Sequence, residues 1–269
     1  MKALLGVVGF CAAVTAVLGF LGYLPKVVGF IKAVYHRTPV GTKRFFYKKL
    51  RLLSPDVQLD YFSRSLGLTP VFRNKRALFS EYVYVHPLFY VQALVDEQES
   101  VACYSVTSRT PAFEPRIWPH NLHPETVPMI PNPRLGSFSL GELDIEPQEI
   151  EGWVGARRFG YVEAFYTGNP GLYRTYFVGI NDAGPADTQV IRALNALIPH
   201  GSPIVHVDRS EDWEDVERFL ERPDVSAFRE SAKPNTYGVS MAHFRWEGES
   251  DFRIPPIGPN ADQVRTLNE

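Results

Sequence analysis

Two short stretches hold the residue types that do chemistry. His120-Asn121-Leu122-His123-Pro124-Glu125 places two imidazoles three residues apart, with a carboxylate behind them. Imidazole and carboxylate are metal ligands, so His120 and His123 form a candidate metal pair. The stretch lies among prolines with no helix to hold the spacing, and histidines of a surface loop are the plainer reading. His206-Val207-Asp208 ends a short apolar run. Alternate residues of a strand share a face, so the Asp208 carboxylate is placed to orient the His206 imidazole for general acid–base work. No nucleophile in a recognised setting accompanies them. The sequence contains no GxSxG, GxGxxG or GxxxxGK[ST], and Cys103 sits inside an apolar run where a thiol is inert. A membrane-tethered hydrolase using His206/Asp208, or a metal at His120/His123, is therefore the alternative reading. No catalytic residue, metal or cofactor is assigned.

A third group lies around Gly168-Asn169-Pro170-Gly171, a strong turn signal between two aromatic runs. Tyr161, Glu163, Tyr166, Asn169 and Arg174 set aromatic beside polar groups on the two arms. Tyrosine and arginine are favoured where surfaces meet partners, which makes these five the candidate partner surface. The bland reading is a cross-strand aromatic ladder with a Glu–Arg pair.

The element ahead of these is the most legible part of the chain. Residues 3–25 carry no charge, and a helix of that length spans about 34 Å against about 30 Å of hydrocarbon. A cleaved signal peptide fits less well, because the tolerable site near Cys11-Ala12-Ala13 leaves a further apolar stretch attached. The charge is split sharply. Residues 1–55 hold nine Lys/Arg and no acid, whereas the remainder holds 19 basic and 30 acidic residues. Only Lys2 precedes the span, so the rule that positive charge stays inside places the N-terminus outside and residues 26–269 in the cytoplasm of a cell's inner membrane. Within the basic segment 26–53, Thr38-Pro39 and Gly41 are expected to break the helix. KRFFYKKLRLL at 43–53 is then a short amphipathic helix. Lys43, Arg44, Phe46, Lys48 and Lys49 are candidate contacts to anionic headgroups. The acidic remainder and the adjacent membrane argue against nucleic acid.

Ser54-Pro55-Asp56 carries the signals of a helix start, and Gly67 those of a left-handed stop. Phe79–Val85, Leu88–Val95 and Val101–Thr107 alternate or are rich in β-branched and aromatic residues, which predicts an antiparallel meander packed on that helix. Leu66-Gly67-Leu68-Thr69-Pro70, Glu81-Tyr82-Val83-Tyr84, Tyr90-Val91-Gln92-Ala93-Leu94-Val95-Asp96 and Val101-Ala102-Cys103-Tyr104-Ser105-Val106-Thr107 together resemble an uncharacterised family of membrane-anchored bacterial proteins. The layout is also similar to the helix–LGxP–meander unit of small assembly lipoproteins of the SmpA/BamE type. The likeness covers residues 54–108. This chain has one extra residue between Gly67 and Pro70, and Cys11 is a poor lipid-attachment site because Phe10 stands where a small residue is needed and the apolar run continues past it, so an outer-membrane assembly role does not carry over. The resemblance implies a binding module rather than an active site.

Seven prolines between 109 and 133 exclude helix and central strand there, and 109–135 is expected to be a linker. In residues 136–246 the patterns predict a second α+β unit. It holds a hairpin at 157–180, a helix at Thr188–Leu197, a short buried strand at Ser202–Val207 and a helix at Ser210–Leu220. Leu135-Gly136 echoes Leu66-Gly67, which allows two diverged repeats. Residues 247–269, with Pro255, Pro256 and Pro259, are expected to be a loose tail. The sequence thus points to an α+β fold in which a transmembrane helix is followed by antiparallel sheets packed with helices. The functional expectation is a single-pass membrane-anchored binding or scaffold protein, with the bilayer and a protein as its partners.

Overall fold

The computed structural model describes residues 38–76, 78–117, 133–143, 145–155, 158–168, 173–198, 204–208, 213–241, 244, 246, 254–255 and 257–265. The charge-free run 3–25 lies outside them. Among the described residues no helix is long and apolar enough to cross a membrane. The chain divides into two units, Met1–Lys48 and Lys49–Glu269.

The described part of the first unit is helix α1 (Pro39–Leu50), whose last two residues belong to the second. The residues before Thr38 lie outside the described ones; the helix expected at 43–53 starts earlier, at Pro39, and runs through Gly41, where a break is expected. The Gly41 N–H donates to Thr38 Oγ1 at 3.1 Å, and proline is tolerated at the first helical position because its missing N–H has no partner there.

In the second unit, α2 (Leu59–Leu66) ends at Gly67, left-handed at φ 73°, as expected. Its start differs. Ser54 does not cap it; the Ser54 hydroxyl donates to the Pro55 carbonyl, and the helix begins after Gln58. Residues 56–59 bond instead to the backbone around Glu99–Val101, because an adjacent strand end offers those amides partners that a side-chain cap would otherwise supply.

Among the described residues nine strands form one sheet: β1 (Phe72–Arg76), β2 (Phe79–His86), β3 (Phe89–Val95), β4 (Val101–Ser108), β5 (Glu149–Val154), β6 (Phe159–Thr167), β7 (Arg174–Asn181), β8 (Ile204–Asp208) and β9 (Thr236–Met241). Their order is β1-β2-β3-β4-β9-β7-β6-β5-β8. Every neighbouring pair is antiparallel. The α+β expectation holds, and so do the meander and the hairpin. The strands of residues 54–108 and of 136–246 do not form separate sheets, because β9 lies between β4 and β7 and joins them. The segment expected as a linker is correspondingly tied down at both ends. Phe113, Ile117 and Leu135 are buried. The Ile117 N–H donates to the Pro133 carbonyl and the Leu135 N–H to the Pro115 carbonyl, so the chain leaves and returns at one place. β8, expected as a buried strand, lies at the edge of the sheet.

Helices cover one face. Phe62 of α2 packs on Tyr84 and Tyr104, and Tyr104 donates to the Leu53 carbonyl at 3.2 Å. On the other half lie α3 (Thr188–Leu197), α4 (Trp213–Leu220) and α5 (Pro223–Ser231). Phe228 of α5 meets Tyr161 edge-on. The opposite face is covered by the C-terminal segment. Trp246, Ile254 and Ile257 join Leu94, Cys103, Trp153, Val162 and Phe177 in one apolar cluster. Val264 of α6 (Ala261–Arg265) packs on Val83 and Tyr90. The described part of the expected loose tail is therefore a strap. An antiparallel sheet with apolar residues on both faces must bury both, and among the described residues α2, α3, α4 and α5 cover only one.

Candidate functional site

Where β4 ends, β7 ends and β9 begins, the helical side of the sheet opens into a cavity of about 410 Å³. Its apolar wall comes from Phe113, Leu135, Ile180 and Val190 with Pro111, Pro185 and Pro234. Each element is placed by a local cause. Phe113 is held by stacking on Phe89 at 5.1 Å. Asp187 caps α3, accepting from Gln189 N at 2.8 Å, which directs the first turn and Val190 toward the sheet. Asn235 precedes β9 and ties the strand ends together. Its side-chain amide donates to the Asn181 and Pro185 carbonyls at 2.9 and 3.0 Å, and its oxygen accepts from Asn181 N at 2.8 Å.

Most polar side chains on the cavity wall are thus committed to the protein. The Ser108 hydroxyl donates to the carbonyls of Thr110 and Phe113, both at 2.8 Å, and Ser231 donates to the Phe228 carbonyl. Two differ. The Thr110 hydroxyl is buried with no hydrogen-bond partner, and Lys233 stands exposed at the lip with no ion pair among the described residues. Sequence reasoning missed this site because it missed α5 and β9. A signal for it exists in Lys233-Pro234-Asn235, a turn signal directly ahead of an alternating run.

The candidate partner surface is divided by the sheet. Tyr161 and Glu163 face the helices and are wholly buried, so neither is on a surface. Arg229 of α5 reaches Glu163 through two bonds, Nε to Oε1 at 2.7 Å and Nη2 to Oε2 at 3.1 Å. Tyr161 donates to the same carboxylate at 2.9 Å. Burial, with the Glu163 charge beside it, pushes the Tyr161 hydroxyl well above the ordinary phenol range. The physical reason is that α5, absent from the sequence reading, lies over β6. Tyr166 is on the opposite face, exposed, and stacks on Tyr173 at 5.3 Å. Arg174 lies 3.8 Å from Asp56. Asn169 lies outside the described residues.

His120 and His123 also lie outside the described residues. His206 and Asp208 fall on β8, with backbones paired to Glu151 and Glu149 of β5. Among the described residues no group of three or more His, Cys, Asp or Glu is disposed to hold a metal ion. Cys103 is buried, and burial pushes its thiol far above the usual range, which removes the thiolate that nucleophilic attack needs. Of the candidate membrane contacts, Lys43, Arg44, Phe46, Lys48 and Lys49 all fall on α1; Arg44 and Lys48, one turn apart, are exposed, whereas Phe46 is buried and presents no surface for a membrane. No family model, curated protein or solved structure matches this chain.

Proposed function

We propose that this chain is a membrane-anchored binding protein: an α+β domain tethered by the apolar run at 3–25, which takes a small organic molecule in the cavity between β4, β7, β9 and α3. The cavity carries the reading. Its volume of about 410 Å³ falls within the range of small-molecule sites, roughly 300–1,000 Å³, and such sites combine an apolar wall with a few placed polar groups. The basic residues on α1 support an anchor at an anionic, cytoplasmic membrane surface. The resemblance of residues 54–108 to binding modules points the same way.

The test is purification of the full chain from membranes in mild detergent, followed by mass spectrometry of the molecules released on denaturation. A compound recovered in stoichiometric amount from wild type and lost from Ala186→Phe, which fills the half-exposed lip, supports the reading. The same compound from both proteins, or none from either, overturns it. The exposed Tyr166–Tyr173 stack favours a second reading, docking of a protein on the β6–β7 hairpin. In that case Tyr166→Ala loses a co-purifying protein that Ala186→Phe retains.

A further inference from the structure

We infer that the cavity ligand is a small organic acid, with its apolar body against Phe113, Leu135, Ile180 and Val190 and its carboxylate at Lys233. This rests on the binding role proposed above and adds the chemical class. Most side-chain donors on the cavity wall are already in use. The amide of Asn235, the hydroxyls of Ser108 and Ser231 and one oxygen of Asp187 already hold backbone partners in the fold. A ligand that competed for the Asn235 amide would have to loosen the strand ends it ties together.

Among side-chain donors on the wall, what remains is the Lys233 ammonium and the Thr110 hydroxyl. An ammonium only donates, and a hydroxyl whose oxygen has no partner also has a proton to give. The ammonium requires an acceptor, and the hydroxyl can serve one as well. Lys233 makes no ion pair among the described residues. Its charge does reach Glu142, whose carboxyl is drawn down chiefly by the Ser139 amide and hydroxyl and least by Lys233. Among the described residues Asp187 is the one acid on the cavity wall; one of its oxygens caps α3, where the positive end of the helix partly offsets its charge. The wall is otherwise apolar, so a bare inorganic anion would gain contact with Lys233 alone and leave the wall unfilled. A carboxylate on an apolar body uses both.

The experiment takes the full chain in lipid nanodiscs and compares 2-naphthoate with its neutral isostere 2-naphthamide by fluorescence titration. The acid is expected to bind at least tenfold tighter than the amide, with the advantage reduced about fivefold or more by Lys233→Gln and lessened by added salt, as a lip charge is screened. Ala186→Phe is expected to abolish binding of both probes. Circular dichroism of each variant confirms folding. Equal affinity for acid and amide, unchanged in Lys233→Gln, overturns the acid assignment and leaves the cavity as a neutral-ligand site. Binding of neither probe to the folded wild type overturns this inference and leaves the recovery experiment to decide the broader one.

Discussion

A buried charge is stable only with its partner in place, and Glu163 is the clearest case. Its side chain is fully buried and that of Arg229 is 14% exposed. Arg229→Met removes the cation but leaves the carboxylate sealed under α5. The expected loss is about 3–5 kcal/mol in urea denaturation, since an uncompensated buried charge costs more than the pair contributes. Glu163→Gln with Arg229→Met should recover much of that loss; if the double variant is as unstable as the single, burial of the lone charge is not the cause. His86 makes a second residue-scale prediction. Its Nδ1 accepts from Leu88 N at 3.2 Å, its ring stacks on Phe89, and Arg109 donates to its carbonyl at 3.1 Å. Burial first, and then the Arg109 charge, hold its pKa below the ordinary 6.5. The unfolded chain therefore takes up the proton first. The stability tied to neutral His86 is present above about pH 6.5 and is lost as pH falls toward the lowered value. Urea midpoints of wild type and His86→Gln should draw together between pH 7.5 and 5.5, and a constant gap would contradict this.

At the scale of elements, the strap is held by fit as much as by apolar contact. The Gly258 N–H donates to Gln92 Oε1 at 3.0 Å and to Ser105 Oγ at 2.9 Å. Asn181 donates to the Ile257 carbonyl at 2.9 Å, and the Ile254 N–H donates to Glu151 at 3.0 Å. The buried polar row on the sheet is thus what the strap backbone bonds to, and each side satisfies the other. Gly258 has φ 90°, and a Cβ there would come within 2.6 Å of Asn181 and 2.7 Å of Thr107. Gly258→Ala combines a left-handed backbone with a clash, a cost of about 1–3 kcal/mol for the backbone term alone. The expected result is local: faster hydrogen exchange at Ile254 and Gly258, with exchange in α2 unchanged. Unaltered exchange at Ile254 and Gly258 would mean that the strap is not held there. The helix starts follow the same logic. Ser54 has the side chain of a cap, yet residues 56–59 take backbone partners near Val101 instead, whereas Gly67 ends α2 because a left-handed φ is a local need that glycine meets anywhere.

Across the whole molecule, the charge split predicts an orientation. With Lys26 and the basic residues after it on one side of the apolar run, the α+β domain is expected in the cytoplasm. Alkaline phosphatase fused after Glu269 should be inactive and a cytoplasmic fluorescent reporter bright; the reverse pattern overturns the orientation. β2, β3, β4, the β6–β7 hairpin and α3 were readable from the residues alone, because their signals are periodicity, β-branched content and turn residues close in sequence. The order of the strands was not. β9, Thr236–Met241, was missed although its alternation is present, and it is the piece that makes one sheet of two. α5 was missed as well, and with it the burial of Tyr161 and Glu163 that takes them off the surface. The candidate cavity depends on residues from 108 to 235, drawn from five stretches of chain. Sequence by itself settled the charged and apolar segments and the hairpin elements, since short-range sterics and solvation decide these. Only the tertiary structure decided which strands adjoin, what the strap covers and which polar groups remain uncommitted at the cavity. Those depend on contacts between residues far apart in the chain, where no local preference distinguishes one pairing from another.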